Sequence, residues 1–211
     1  MYRYIHHEGG GWCYNLEDCA GRAKGALGST DPAKSKDGKT SNLGGGYFDS
    51  DPKVNPQMYN WNHVFLRYWC APFPCPAPPP PPHNAGWLRL THTARRSDGG
   101  SFSGSNATST DVGGSTLWFR GKHVLKALQQ DLVTNRGLAK ATDVVISGCS
   151  AGGLATFLHV DNWALFLNGS PSQGGVQHQK IRGMPDSGGS PPSPRSSLHA
   201  PTKLSDVLSS C

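Results

Sequence analysis

The stretch Gly148–Gly152 has the sequence Gly-Cys-Ser-Ala-Gly, in which Ser150 could act as a nucleophile. In the G-x-S-x-G pattern the serine occupies a sharp strand-to-helix turn, and the two glycines leave room for a strained backbone. Five residues with three fixed types also recur by chance in glycine-rich chains. The alternative is therefore a turn of small residues that only packs closely. A buried strand before the turn and a helix after it favour the nucleophile.

A second glycine cluster could supply the donors that acyl transfer needs. The segment Glu8–Cys13 has the sequence Glu-Gly-Gly-Gly-Trp-Cys. Ester hydrolysis through a serine requires backbone N–H groups aimed at the developing oxyanion. One donor normally comes from the residue after the nucleophile, here Ala151, and another from a glycine-rich loop that follows an early strand. No Lys-Ser/Thr pair follows the glycines, so a phosphate-binding P-loop is excluded. The two clusters together predict a serine-hydrolase scaffold.

Hydrophobic patterns predict the elements that must position these groups. β-branched and aromatic residues or a continuous apolar run predict strands, and apolar residues at helical spacing predict helices. The predicted strands are Tyr4–Glu8, the end of Tyr59–Tyr68, and Asp143–Ser147. The predicted helices are Leu117–Val133, ending near Arg136–Gly137, and Leu154–Phe166, with a tight turn at Gly148–Gly153 and a loop over Ser97–Gly114. Helix, strand, tight turn and helix in this order indicate an α/β fold.

The net charge of +6 does not indicate a nucleic-acid partner, because the charge is unevenly placed. The stretches Cys70–Ser97 and Pro171–Cys211 hold 14 of the 17 prolines, and seven basic against two acidic residues. The rest of the chain is close to neutral, at +1. No apolar run is long enough for a membrane span, so we expect neither nucleic acid nor membrane as a partner. We find no zinc-binding cysteine cluster and expect no metal and no cofactor.

Signals for export disagree with one another. Six cysteines suit an oxidising compartment, and Cys13 and Cys19 are close enough to share a small loop, although spacing does not prove a bridge. Two glycosylation sequons begin at Asn106 and Asn168. The segment Met1–His7 has no apolar core, so we expect no signal peptide in this chain. The cysteines and sequons favour a secreted protein, but nothing in the chain directs export.

Four blocks resemble plant pectin acetylesterases and occur in that family's order. They are Glu8–Cys13, Asn55–Asn62, Asp98–Gly104 and Ser147–Phe157. The resemblance implies an α/β-hydrolase-like fold, incomplete and limited to its N-terminal part. It implies a secreted cell-wall enzyme that removes acetyl esters from pectin, with acetylated pectin as its partner. A related animal branch removes fatty acyl groups from proteins, and the plant-like blocks favour the polysaccharide branch.

The resemblance also implies the roles of individual residues. Ser150 would be the nucleophile, and backbone N–H groups of Gly11, Trp12 and Ala151 would form the oxyanion hole. The triad order of this fold is Ser, then Asp, then His. The family's later Asp and His blocks have no counterpart here, and no triad Asp or His is identified. Asp186 lies in a shared stretch but does not correspond to the family's acid.

The histidines after the serine are poor candidates for the base. His178 and His199 lie in Gly/Pro/Ser-rich sequence, and His159 should point away from the elbow on the following helix. We therefore expect an inactive, truncated chain with a partial hydrolase domain over 1–170, a Pro-rich insertion at about 70–97 and an off-pattern, disordered tail over 171–211. The alternative is a non-catalytic carbohydrate-binding or regulatory remnant. A third interpretation is a proline-rich structural protein of the cell wall, which only the run Pro78–Pro82 supports.

Overall fold

The computed structural model describes residues 1–11, 13–24, 46–66, 87–90, 102–105, 108–169 and 179–186. In chain order its elements are β1 (Tyr2–His7), α1 (Leu16–Arg22), β2 (Asn62–Leu66), β3 (Trp87–Leu90), β4 (Ser109–Val112), β5 (Ser115–Trp118), α2 (Gly121–Asn135), β6 (Asp143–Cys149), α3 (Ala151–Asn168) and β7 (Lys180–Asp186). In this part of the chain, no helix combines the length and the apolar composition that a bilayer crossing requires.

β1 lies at the centre of a five-stranded sheet in the order β3-β2-β1-β6-β7. All neighbouring strands in it are parallel. Ile5 is paired with Val64 on one side and with Ile146 on the other, and all three side chains are fully buried. Parallel strands end at a common edge, which is where ligands bind in open α/β sheets. The ends of β1, β6 and β7 therefore meet at one edge of the sheet.

One face of this sheet packs against α2 and α3. Leu125, Leu128 and Leu132 recur at helical spacing on α2 and are almost completely buried in the same cluster as Trp163 of α3. Burial of each such leucine stabilises the fold by about 1.5–3 kcal/mol. The opposite face of the sheet carries Tyr4, against whose ring Phe48 packs edge-on with the centroids 5.2 Å apart. Both faces of the central strands are covered, as the continuous apolar run of β6 predicts.

The three predicted strands are confirmed, but the loop and the helices have different bounds. α2 begins at Gly121 rather than Leu117, because β5 pairs antiparallel with β4. Gly113 and Gly114 join these strands with φ angles of 52° and 73°. Positive φ at both central residues is typical of a two-residue hairpin turn. The predicted loop Ser97–Gly114 thus contains β4. α3 begins at Ala151, so the turn after β6 is shorter than predicted.

Two strands lie where the sequence analysis predicted none. β3 falls inside the predicted insertion, and β7 falls inside the predicted disordered tail. That prediction is wrong for β7, which pairs with β6 along its whole length. Its sequence lacks regular alternation because an edge strand tolerates polar residues and Pro185. The predicted boundary between the hydrolase domain and the tail near residue 170 otherwise stays a prediction. The Pro-rich segment Cys70–His83, the candidate bases His178 and His199, and the end of the chain lie outside the described residues.

Candidate active site

Ser150 forms a sharp turn of one residue between β6 and α3. Its φ and ψ angles are 54° and −117°, which non-glycine residues rarely adopt. Side chains are excluded on both sides of it. A Cβ on Gly148 would collide with the Gly152 carbonyl, and a Cβ on Gly152 would collide with the His7 carbonyl. The local backbone therefore has the form that the G-x-S-x-G pattern predicts.

The backbone of Ser150 is anchored at both ends. Its N–H donates to the Asp186 carbonyl oxygen at 3.0 Å, and its own carbonyl accepts from the Leu154 N–H at 3.1 Å. The residue is 7% exposed, and its side chain makes no capping hydrogen bond to α3. A serine at this position usually caps the helix. Here the positive φ turns the hydroxyl away from that role, so the side chain lies at the start of α3 without bonding to its amides.

Ala151 is the first residue of α3 and is fully buried. The first hydrogen bond inside the helix comes from Leu154, so the Ala151 N–H belongs to the amides that precede the intrahelical ladder. Such amides carry the positive end of the helix dipole and favour negative charge nearby. The predicted donor Ala151 therefore lies next to Ser150 at the electropositive end of an 18-residue helix.

The glycine loop after β1 packs against this turn. A Cβ on Gly9 would lie 2.6 Å from the Cys149 carbonyl oxygen and 3.4 Å from the Ser150 Cβ, so only glycine permits this approach. Gly11 has a φ of +74°, again in the region that favours glycine. The structure thus brings together the loop that contains Gly11, the candidate nucleophile and Ala151. The other predicted donor, Trp12, lies outside the described residues.

α1 holds the far side of the loop. Cys13 and Cys19 form a disulfide with their Cα atoms 5.0 Å apart, which settles the pairing that spacing left open. The Asn15 side chain caps α1 by accepting from the Asp18 N–H at 2.8 Å. Arg22, in the last turn, donates through Nη1 to the Gly10 carbonyl oxygen at 3.2 Å. No local sequence pattern marks this contact, so the residues alone do not predict it.

His7, at the end of β1, contacts β6 just before the turn at Ser150. Its Nδ1 lies 3.1 Å from the Ser147 carbonyl oxygen, which can only accept, so Nδ1 carries the proton. Burial lowers the pKa of His7 to about 3, and the neighbouring His6 and His159 act in the same direction. His159 is itself buried on α3. A fully buried neutral histidine at this place has a structural role.

His6 lies on the opposite face of the sheet. Its Nδ1 is 2.8 Å from the Ser147 Oγ, and its ring stacks on Phe65 with the centroids 5.4 Å apart. Burial lowers the pKa of His6 to about 4, while the Asp186 carboxylate acts in the opposite direction. Within the described part of the chain, no histidine or carboxylate is hydrogen-bonded to the Ser150 hydroxyl. The structure brings Asp186 beside Ser150 only through its backbone carbonyl.

The chain is similar to one family of esterases. The family model described as "Pectinacetylesterase" matches residues 3–71 and 92–194. Pectin acetylesterase 5 of Arabidopsis thaliana is 32% identical over 157 residues, which are 74% of this chain and 29% of that protein. Human palmitoleoyl-protein carboxylesterase NOTUM is 27% identical over 181 residues, 86% of this chain and 29% of the relative. The chain thus spans less than a third of the length of these two relatives.

A solved structure shares the fold. The Wnt deacylase Notum from Drosophila superposes with a TM-score of 0.60 at 23% sequence identity, over 89% of this chain and 44% of that one. At this identity the likeness concerns the fold alone. The predicted α/β-hydrolase-like fold is confirmed, and the chain belongs to the pectinacetylesterase family.

Proposed function

We propose that this chain carries the nucleophile and the oxyanion donors of a carboxylic-ester hydrolase that removes acetyl groups from pectin. The observation that supports it most is the backbone of Ser150, held at a φ of 54° between a buried strand and a helix and packed against a glycine loop. Membership of the pectinacetylesterase family supports the acetyl ester and the polysaccharide as the substrate class.

In the proposed reaction, the Ser150 Oγ attacks the carbonyl carbon of the acetyl ester. The carbonyl oxygen becomes an oxyanion, which the N–H groups of Ala151, Gly11 and Trp12 stabilise. The sugar oxygen then leaves with the proton that the Ser150 hydroxyl has lost, and an acetyl group remains on Ser150. Water hydrolyses this ester, which releases acetate and restores the serine. Each well-placed oxyanion donor is worth about 10²–10³-fold in rate.

The attack needs a base that takes the proton of the Ser150 hydroxyl, and neither His6 nor His7 is placed to do so. His7 and His6 contact Ser147, and burial lowers the pKa of both. A serine without its base keeps only the residual catalysis of the oxyanion hole and of substrate binding, about 10³–10⁴-fold over water. The same observation favours a second candidate function, a remnant of the fold that binds pectin without hydrolysing it.

We also propose that the protein is secreted and acts in the cell wall. The resemblance to pectin acetylesterases implies a substrate in the cell wall. The Cys13–Cys19 disulfide suits an oxidising compartment such as the extracellular space. Mass spectrometry of the non-reduced protein from cell-wall extracts would test this. A chain recovered only from the cytosol with both cysteines reduced would contradict it.

Acetate release from acetylated pectin tests the reaction. The parent chain, Ser150→Ala and Ser105→Ala are compared, since Ser105 is an exposed serine outside the G-x-S-x-G turn. Acetate release that is lost in Ser150→Ala and kept in Ser105→Ala would support the esterase. A burst of p-nitrophenol from p-nitrophenyl acetate, with one acetyl group retained on Ser150, would support the nucleophile even where turnover is slow.

The two candidate functions predict different results. The binding remnant predicts that the chain sediments with pectin, that Ser150→Ala sediments equally well, and that neither releases acetate nor becomes acetylated. Acetylation of the parent at a site other than Ser150 would refute the proposed mechanism.

A further inference from the structure

One side chain of α1 grips the backbone of the glycine loop. Arg22 donates through Nη1 to the Gly10 carbonyl oxygen, although the two residues are twelve positions apart. We infer that Arg22 is a positioning residue, which orients the Gly10–Gly11 peptide so that the Gly11 N–H can serve as an oxyanion donor. This inference rests on the proposed function and adds a residue that does not touch the substrate.

The geometry of the peptide unit carries the inference. The Gly10 carbonyl and the Gly11 N–H belong to one planar trans peptide, in which C=O and N–H point in opposite directions. When Arg22 holds the oxygen toward α1, the N–H must point away from α1. Glycines flank this peptide with few steric limits on rotation. Without the bond to Arg22, the peptide plane would have one anchor fewer and could turn, which would carry the N–H out of alignment.

The loop is held from both sides. Gly9 packs against Cys149 and Ser150 on the elbow side, and Gly10 is bonded to Arg22 on the α1 side. A Cβ on Gly11 would lie 3.5 Å from the Arg22 Nη1, so the guanidinium also lies close to the next residue of the loop. A loop fixed at two successive residues presents its amides in one orientation, which is the condition for electrostatic preorganisation.

Arg22 is itself oriented by its neighbours. Its Nε lies 3.4 Å from the Asp18 Oδ2, and the same oxygen accepts from the Tyr14 N–H at 3.1 Å. The planar guanidinium can bond two partners at once in a fixed fork. Asp18 is one turn away on the same helix, and the Cys13–Cys19 disulfide fixes that helix to the end of the loop.

A different role would be to bind a carboxylate of the polymer. Arg22 is 44% exposed, so an anionic sugar could reach it. However, two of its nitrogens already contact Gly10 and Asp18, which favours positioning. An uncharged ester separates the roles, because removal of a carboxylate-binding residue would leave its rate unchanged.

The test compares the parent chain with Arg22→Ala, Arg22→Lys and the control Lys24→Ala. Lys24 is an exposed cation just beyond the same helix. The first measurement is the rate of Ser150 acetylation by p-nitrophenyl acetate, as a function of ester concentration. The second is hydrogen exchange of the Gly10 and Gly11 amides by NMR, with thermal unfolding as a check on the whole fold.

We expect Arg22→Ala to lower the maximal acetylation rate about tenfold, less than the 10²–10³-fold effect of deleting a donor, because the N–H remains but loses its alignment. The half-saturating ester concentration should stay the same. Exchange at Gly10 and Gly11 should rise about tenfold, with the melting temperature unchanged. Arg22→Lys should recover part of both effects, since its ammonium can still donate one bond, and Lys24→Ala should behave as the parent.

Three results would overturn the inference. They are parental acetylation by Arg22→Ala, unchanged exchange at Gly10 and Gly11, and equal effects in Lys24→Ala. If the parent is not acetylated above the level of Ser150→Ala, the proposed function fails instead. The exchange comparison then decides alone whether Arg22 orients the loop.

Discussion

Replacement of Ser150 by glycine should reveal the strain that the turn stores. Ser150→Ala and Ser150→Gly both remove the hydroxyl, so their difference isolates the Cβ at a φ of 54° and a ψ of −117°. Such a backbone costs a non-glycine residue about 1–3 kcal/mol. Glycine adopts it freely but loses about 0.5–1 kcal/mol more conformational entropy on folding. The difference between these two ranges predicts that Ser150→Gly is more stable than Ser150→Ala by roughly 1 kcal/mol, and by about 2.5 kcal/mol at most.

Urea unfolding at neutral pH measures this difference. The midpoint should move while the slope stays constant, because the surface exposed on unfolding is the same. At this chain length about 1 kcal/mol corresponds to a shift of roughly 2–4 °C in melting temperature. Ser105 provides the control pair, because its φ is not positive and glycine there should be less stable than alanine by about 0.4–1 kcal/mol.

The relative stability of Ser150→Gly and Ser150→Ala shows whether the Ser150 backbone is strained. If Ser150→Gly unfolds at a lower urea concentration than Ser150→Ala, by as much as the Ser105 pair differs, Ser150 stores no strain. The backbone of Ser150 would then carry no strain that distinguishes it as a turn for presenting a nucleophile.

Two further predictions concern the support of the turn. Gly152→Ala should destabilise the protein by at least about 3 kcal/mol or prevent folding, because the new Cβ collides with the His7 carbonyl. As the control, Gly21→Ala in α1 places a Cβ with no atom within 4 Å and should stabilise the protein by about 0.5–1 kcal/mol. Urea unfolding of both variants checks this, and equal stability would contradict it. The second prediction follows from burial, which lowers the pKa of His7 from 6.5 to about 3 and that of His6 to about 4. Stability should be complete above pH 6.5 and fall as the pH drops toward these values, by about 2 kcal/mol per histidine between pH 7 and pH 5. His7→Asn should remove about half of this loss in urea unfolding at several pH values, with exposed His123→Asn as the control.

Parts of the site that depend on local sequence were predictable. The elbow is encoded within five consecutive residues, since Gly148 and Gly152 must lack side chains for Ser150 to adopt its backbone angles. The place of the glycine loop also follows from its position after an early strand. These features need no knowledge of distant contacts, so the residues themselves indicate them.

Contacts between distant residues were not predictable. The bond from Arg22 to Gly10 and the bond from Ser150 to the Asp186 carbonyl depend on how elements pack, and no side-chain type marks either acceptor. β7 was missed for a related reason, because an edge strand is stabilised by pairing with β6 rather than by its own apolar pattern. The full burial of His7 and the partial burial of His6 likewise follow from the central position of β1.

The central position of β1 also has a consequence for how the protein is made. β1 and β6 are neighbours in the sheet, yet His6 and Ser147, which bond to each other, are 141 residues apart in the chain. At a synthesis rate of about 5–20 residues per second, β6 leaves the ribosome roughly 7–30 s after β1. Pairing over such a separation is entropically costly and slow. During synthesis, β1 therefore waits for β6 with one edge unpaired and with the Tyr4 and Ile5 side chains uncovered, and chaperones would have their longest opportunity to bind it there.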